Sequence, residues 1–469
     1  MSNVRCLSFK PINLLSLFLF LIFFPTTTNA GFLYLLNDDS TGNRIYGFRV
    51  NETTGELTAL AGFPVNAAVG GINNIVSERM TVDQVNKRLY VVNEGSDTVS
   101  VYSIDPASGA ITAMPFSPIS LGTGVWNSIA VHPSGSPVIV ANNALNGVVQ
   151  SFVITSTTAT AAPGSPFGVG NTAGFSSRFS VDGSYYYVGG NQGNNIAGFS
   201  VDQTTGVLTT LAGSPFASGG AAPLAFGVDV AGRLFAVDNA FLIRVFTSSS
   251  GVLSPVTGSP FPSGLTQRRF GLVHHNGNFY VVAGNTGNNV GVFQISGSGS
   301  ATTVAAVPGS PFATGGTTAN VLALNQAGTF LFVGNRISRN VTRFAFNTSS
   351  GVLSSQTVQP SNTLGTVGAI NGIGYLADVV VSNAQIGGRV IDASGNGVDR
   401  VRVQLTSMDG SRNLFALTNP FGYYNFPSIE TGMTYTLTPI KKGYNFTPPS
   451  LVFSHTGDAT SQNFTAQQN

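Results

Sequence analysis

Seven apolar pentapeptides recur along the chain: LYLLN (Leu33–Asn37), LYVVN (Leu89–Asn93), VIVAN (Val138–Asn142), YYVGG (Tyr186–Gly190), LFAVD (Leu234–Asp238), YVVAG (Tyr280–Gly284) and LFVGN (Leu331–Asn335). Their starts lie 56, 49, 48, 48, 46 and 51 residues apart. Each is followed by a polar Asn/Gly turn, a second run of alternating character and a short third run. A period of about 45–50 residues made of short strands is the period of a propeller blade. The repeat therefore restricts the fold to a ring of seven four-stranded blades.

One unit shows how a blade is written. Met80–Asp83, Leu89–Val92, Thr98–Ile104 and Ala110–Ala113 read as four strands, joined by VNKR, NEGSD and DPASG. These connections are rich in residues that tolerate turn geometry. The third and fourth strands are joined elsewhere by NETTGE (Asn51–Glu56), DQTTGV (Asp202–Val207), TSSSGV (Thr247–Val252) and NTSSGV (Asn347–Val352). The glycine of each such loop is expected at positive φ. The first unit begins at LYLLN without the short strand that precedes each later copy, while AINGIGYLAD (Ala369–Asp378) follows the seventh unit as an orphan. That pairing of a deficit with a surplus implies that Ala369–Asp378 supplies the innermost strand of blade one and removes the open sheet edges.

The first thirty residues read as a cleavable leader. Arg5 and Lys10 form a basic region, Ile12–Phe24 an apolar one, and Thr28-Asn29-Ala30 a small-residue cleavage site. The apolar stretch is short of the roughly 20 residues that span a bilayer. The expected organisation is a signal peptide over 1–30, the propeller over 31–382 and a second β module over 383–469, in a secreted chain that is periplasmic, extracellular or on the cell surface. The single cysteine, Cys6, falls in the leader, so no disulfide is expected in the remainder. Without Arg5 and Lys10 the 21 basic residues become 19, against 19 acids. A formally neutral chain has no face for nucleic acid.

From about Asn383 the period breaks. GGRVIDASGNGVDRVRVQLTS (Gly387–Ser407), TNPFGYYNF (Thr418–Phe426) and TYTLTPIKKGYNFTPPS (Thr434–Ser450) suggest about seven alternating strands, a small antiparallel sandwich.

Candidate chemistry is sparse. His132 and His274 stand three residues before a turn glycine, in a column that holds Asp229 and Asn325 in other blades. A slot that accepts His, Asp and Asn reads as a turn cap. Asp38-Asp39 with Glu94 and Asp97 is the one acidic concentration, and solvated loop carboxylates are its default reading over a calcium site. No phosphate loop, G-x-S-x-G elbow or His-x-x-x-His pair occurs, and neither a metal nor a cofactor is expected. A different column is more telling. Eight residues before each turn lie Glu78, Asn127, Phe175, Leu224, Arg269 and Asn320, with Arg79 and Arg178 beside it and Asn371 as the counterpart on the closing strand. A polar column at the start of the innermost strands is the pattern of a shared funnel pocket. Trp126, the sole tryptophan, adjoins Asn127 as a candidate stacking platform.

The LYVVN and LFVGN strands, the stretch Asn93–Thr112 and the GSPF loops starting at Gly164, Gly213, Gly258 and Gly309 resemble the YVTN/lactonase-like seven-bladed β-propellers. That resemblance implies lactonases, a muconate-cycloisomerase branch or surface-layer proteins. The tail resembles carboxypeptidase-regulatory-like and Cna-B-like domains through Gly388–Val398 and Thr418–Phe426. Such modules serve as spacers or attachment points, some with a Lys–Asn crosslink. Arg389 stands on the first strand here, so no crosslink is expected. The expectation for function is a non-catalytic binding or surface-scaffold protein. It would take a small carbohydrate-like or lactone ligand, or a protein partner, through Glu78, Arg79, Trp126, Asn127, Arg178, Arg269, Asn320 and Asn371. The alternative implied by the resemblance is a lactone hydrolase of the 6-phosphogluconolactonase type; no family motif assigns its catalytic residues here, and in such an enzyme Arg79 and Arg269 would be the groups to polarise the carbonyl and Glu78 the one to activate water.

Overall fold

A computed structural model describes residues 30–39, 42–68, 78–144, 147–170, 174–190, 193–220, 222–267, 269–358, 364–365, 367–377, 383–407, 413–430, 433–455 and 458–468. The expected leader lies outside these residues up to Ala30. Apart from two short 3-10 turns at Glu94–Ser96 and Gly299–Ala301, the described elements are β-strands. Among the described residues no helix is long and apolar enough to cross a membrane.

Seven antiparallel sheets carry the repeat. Blade two runs Met80–Asp83, Arg88–Asn93, Thr98–Ile104 and Ile111–Ala113 from the inside out. The second strand of each blade is the repeated pentapeptide, and in blade two all six of its residues are buried. Such a strand packs a neighbouring blade on each face, which is why it reads as a continuous apolar run rather than an alternating one. In blade one the innermost strand is Ala369–Leu376, which pairs antiparallel with Ala30–Asp38, Leu35 facing Ile373. The sheet therefore joins chain segments more than three hundred residues apart.

The outermost strand departs from a simple four-stranded blade. In blades one to six it is split into two short pieces, both paired with the third strand, as Ala159–Ala161 and Phe167–Gly168 are with Val148–Ile154. The Gly-Ser-Pro-Phe segment occupies the split, with cis peptides at Ser165-Pro166, Ser214-Pro215, Ser259-Pro260 and Ser310-Pro311. A break in the ladder leaves a third-strand N–H without its partner, and a buried amide must find another. The serine hydroxyl provides it: Ser165 Oγ accepts from Ser151 N–H at 3.2 Å, Ser214 Oγ from Gly198 at 2.9 Å and Ser310 Oγ from Val292 at 3.0 Å. The motif is a strand splice and not merely a loop.

The hairpin glycines have positive φ, +69° at Gly55, +73° at Gly109, +72° at Gly206, +83° at Gly251 and +73° at Gly351. They also allow close approach. A Cβ on Gly251 would lie 2.5 Å from the Tyr185 ring, and one on Gly351 2.6 Å from Phe279. Each hairpin thus docks on the preceding blade, and hydrogen bonds fasten it: Tyr34 Oη donates to Gly109 O at 2.7 Å, Ser151 Oγ to Gly206 O at 2.7 Å and Tyr187 Oη to Gly251 O at 2.9 Å.

The described residues of the C-terminal module form eight strands, one more than the sequence suggests. They form two four-stranded sheets, ordered 423–430, 383–391, 464–468, 444–447 and 413–417, 402–407, 433–440, 451–455. Between them lies a separate core that includes Ile386, Val390, Val403, Leu405, Phe426, Tyr435, Leu437 and Phe464. Arg389 donates to Phe421 O at 2.9 Å and lies over the Tyr423 ring.

Candidate functional site

The innermost strands touch their neighbours all the way round the ring, so residues at their starts converge on the axis. Glu78 is a bridge residue just before the first strand of blade two, pairing with Ser128 of blade three. Its carboxylate is 2% exposed, accepts three hydrogen bonds and forms an ion pair. Oε1 takes Ser176 Oγ at 2.7 Å; Oε2 takes Ser128 Oγ at 2.9 Å and the Ser177 N–H at 3.0 Å, and lies 3.0 Å from Arg178 Nη1. Ser176 Oγ in turn accepts the Phe226 N–H of blade five at 3.1 Å. Arg178 continues across the axis, donating to Gly271 O of blade six at 3.1 Å while its guanidinium lies over Phe270. One carboxylate and one guanidinium so tie blades two, three, four and six.

A second cluster sits beside the first. Arg79 is fully buried and paired with Asp38 of blade one and Glu94 of its own blade, and it donates to Asn127 Oδ1 of blade three at 3.1 Å. Burial pulls this guanidinium below its ordinary pKa; the Asp38 charge opposes that and Arg336 adds to it. Asn371 on the closing strand donates to Asp38 Oδ2 at 2.9 Å and accepts from Asn320 at 3.2 Å and from Arg336 Nε at 3.3 Å. Asn320 also donates to Ile370 O at 2.8 Å. The structure therefore brings together Arg79, Asn127, Asn320 and Asn371 in one network, and Glu78 with Arg178 in another. Arg269 is set apart from both: its backbone N–H bonds Ala283 O at 3.1 Å and its guanidinium faces Gln267. Trp126 is 1% exposed inside the core shared by blades two and three, its Nε1 donating to Gly122 O at 2.9 Å. Its ring faces that core, not a funnel.

Two donors in the second cluster lack an acceptor among the described residues, Arg79 Nε and Asn127 Nδ2. Elsewhere among the described residues other buried polar atoms also lack a partner, Asn143 Oδ1 and Asn285 Nδ2 among them. Burial raises the phenols of Tyr186 and Tyr280, and Tyr280 donates to Ala225 O. A cleft of about 380 Å³ lies among the later halves of the innermost strands of blades two to four, lined by Thr81, Ile129, Val131, Phe179, Val181 and Arg178. Among the described residues no three His, Cys, Asp or Glu side chains gather as a metal site requires. The two carboxylates of the acidic concentration that face inward, Asp38 and Glu94, find their countercharge in Arg79.

The histidine column caps turns. His132 Nδ1 accepts the Ser134 N–H at 3.1 Å, and Asp229 Oδ1 accepts the Ala231 N–H at 3.0 Å. The other ring nitrogen of His274 meets Gly328 O of the next blade at 2.9 Å. The pKa of both histidines is lowered, mainly by burial.

Several residues of the network escape the sequence reading. Ser128, Ser176 and Ser177 are small and polar in strands that otherwise look apolar, and they carry the Glu78 bonds. The closing Asn of the repeated pentapeptide was the available signal for a further set. Asn37 donates to Leu364 O and Val367 O at 2.8 Å each, Asn93 to Ser100 Oγ at 2.9 Å, and Asn335 to Asn340 Oδ1 and Thr342 Oγ1 at 2.8 Å each. At Asn93 and Asn335 the polar residue ending the apolar strand pins the start of the third strand, whereas Asn37 holds the segment that leads into the closing strand.

With this geometry in hand, comparison with known proteins is decisive for family. A family model described as "Lactonase, 7-bladed beta-propeller" matches residues 33–226 and 272–362. The chain belongs to this lactonase propeller family. A carboxypeptidase regulatory-like domain matches residues 385–467. Among solved structures, the periplasmic gluconolactonase of Pseudomonas aeruginosa is similar with a TM-score of 0.56 and 16% identity, covering 74% of this chain and 99% of that one. A candidate 6-phosphogluconolactonase of Bacteroides fragilis gives 0.57 and 17%, covering 75% and 99%. At such identity the lactonase-family likeness to these structures speaks for fold alone. A chitinase ChiA of Flavobacterium johnsoniae is 30% identical over 128 residues, 26% of this chain. The chain spans only 8% of the length of that relative.

Proposed function

We propose that this lactonase-family propeller is an extracytoplasmic, non-catalytic binding protein whose axis recognises a small oxygen-rich ligand such as a sugar, sugar acid or lactone. The observation that carries this reading is the state of Glu78. A carboxylate that activates water must be reached by that water, and this one is 2% exposed, accepts three hydrogen bonds and is ion-paired with Arg178. Arg79 is likewise held by two carboxylates instead of facing a carbonyl. Binding is supported by Arg79 Nε and Asn127 Nδ2, buried donors that want an acceptor. Placement outside the cytoplasm is supported by the leader-like residues 1–30 and by the periplasmic location in the name of the Pseudomonas relative.

Family membership favours a second reading, hydrolysis of a sugar lactone. One panel separates the two: 6-phosphogluconolactone and related sugar lactones, assayed with the full chain for both turnover and calorimetric binding. Binding without turnover, weakened by Asn127→Ala, is the expected result. Turnover that disappears in Glu78→Gln while the fold persists would establish the hydrolase.

A further inference from the structure

The sandwich carries an unprotected sheet edge. Strand Asn413–Leu417 ends its sheet, with 402–407 as its one hydrogen-bonded neighbour in the sheet order. Its sequence, NLFAL, has four apolar residues and no charge, proline or bulge. Four of the five positions are exposed: Leu414 is 39% exposed, Phe415 62% and Leu417 60%. Natural edge strands are blunted by charges, prolines, twists or a covering segment, because a bare row of N–H and C=O groups templates pairing with another strand. Among the described residues no proline, bulge or paired segment blunts it; the nearest charge is the Arg402 guanidinium of the neighbouring strand, which lies over the Phe415 ring at 4.6 Å. Just beyond, Phe421 and Tyr423 are 69% and 54% exposed, so the apolar surface continues past the strand.

We propose that this edge is a self-association surface: strand Asn413–Leu417 of one chain pairs antiparallel with the same strand of a second copy. The occupant is argued from three features. The strand is its own complement, since a two-fold axis through Phe415 sets Leu414 against Ala416 and Asn413 against Leu417, the isologous geometry of a closed dimer. Phe415 then meets its own copy, and aromatic cross-strand pairs are favourable. Long-range charge opposes the approach little, because residues 383–469 hold Arg389, Arg400, Arg402, Arg412, Lys441 and Lys442 against Asp392, Asp399, Asp409, Glu430 and Asp458, a net of +1, and the local cation, Arg402, is already set against its own Phe415 ring. The area sets the strength. Aromatic side chains bury ~150–250 Å² each, so the exposed parts of three rings offer on the order of 300 Å², below the ~800 Å² per partner of a standard interface. The dimer is therefore weak and concentration-dependent, suited to chains held close together on a surface.

Sedimentation of the full chain over a rising concentration series tests this. The expected result is a reversible monomer–dimer equilibrium that Phe415→Lys abolishes without lowering the melting temperature, since the side chain it replaces is already in solvent. A second pair of variants fixes the register. With Cys6 replaced by serine, Phe415→Cys should form a disulfide-linked dimer under mild oxidation several-fold faster than Val452→Cys on the opposite edge strand, where exposure is comparable. A chain that stays monomeric throughout, or cysteines that crosslink equally from both edges, would overturn the proposal and leave the edge to a different partner.

Discussion

The two modules handle polar and apolar groups in opposite ways. The propeller puts charge inside: Glu78, Arg79, Asp38, Asp229, Asp238 and Arg336 are all buried, while among its described residues the exposed large hydrophobics are valines and one isoleucine. The sandwich puts aromatics outside, with Phe415, Phe421 and Tyr423 more than half exposed. Size and topology explain the contrast. A ring of seven blades must fill an axis where seven strands begin together, and backbone groups and polar side chains meeting there need partners. A module of under ninety residues has too little interior to hide all its apolar surface. Buried charge in the one is thus a joint, and exposed aromatic surface in the other is an opportunity for contact.

The sharpest way to break this contrast is at Glu78. Removing one partner of a buried ion pair costs about 3–5 kcal/mol because it strands the other charge. Glu78→Ala should lower the propeller transition by that amount in calorimetry while leaving a separate sandwich transition in place. A change of less than about 1 kcal/mol, within the scatter of ordinary surface substitutions, would show that the axis is not the joint described here. Next in size is the docking of hairpins on preceding blades. Gly251→Ala combines a left-handed φ of +83° with a clash against Tyr185, and an expected loss of about 2 kcal/mol is readable in urea unfolding. Asn335→Ala removes the bonds to Asn340 and Thr342 and should cost about 1 kcal/mol, with the damage confined to blade seven by hydrogen exchange.

The smallest effect concerns pH. His132 and His274 have folded pKa values below the unfolded value, so the unfolded chain binds more protons as pH falls through that range. Their contribution to stability is full above the unfolded value near 6.5 and declines below it, towards the folded value. The propeller melting temperature should fall modestly between pH 7.5 and pH 5, and the double variant His132→Asn, His274→Asn should flatten that slope.

What the sequence makes legible follows from how each feature is encoded. Blade number and strand order are written seven times, so substitution in one copy does not hide them. The capping role of the histidine column is readable for the same reason, since His132 and Asp229 occupy one slot and bond their turns alike. The axis is written once per blade with different residues, so spacing shows that Glu78, Asn127 and Asn320 share a level but not what they face. Whether they form an open rim or a closed network depends on Ser128, Ser176 and Asp38, which meet Glu78 and Arg79 from other blades, and on Glu94 from a later turn of the same blade, and none of these carries a local signal. Trp126 illustrates the same limit: its neighbour Asn127 points into the network while the ring turns into the blade core.

The most direct test of the central claim, that the charges at the axis serve as a joint, is a double-mutant cycle on Glu78 and Arg178. Unfolding free energies of Glu78→Gln, Arg178→Met and the double variant are compared with the parent in denaturant. Groups in one network couple by about 0.5–3 kcal/mol, whereas independent sites add. The expected result is that the double variant is distinctly more stable than the sum of the two single losses implies. Additive losses would contradict the account, because they would mean that the carboxylate and the guanidinium act separately and that the ring is held by other means.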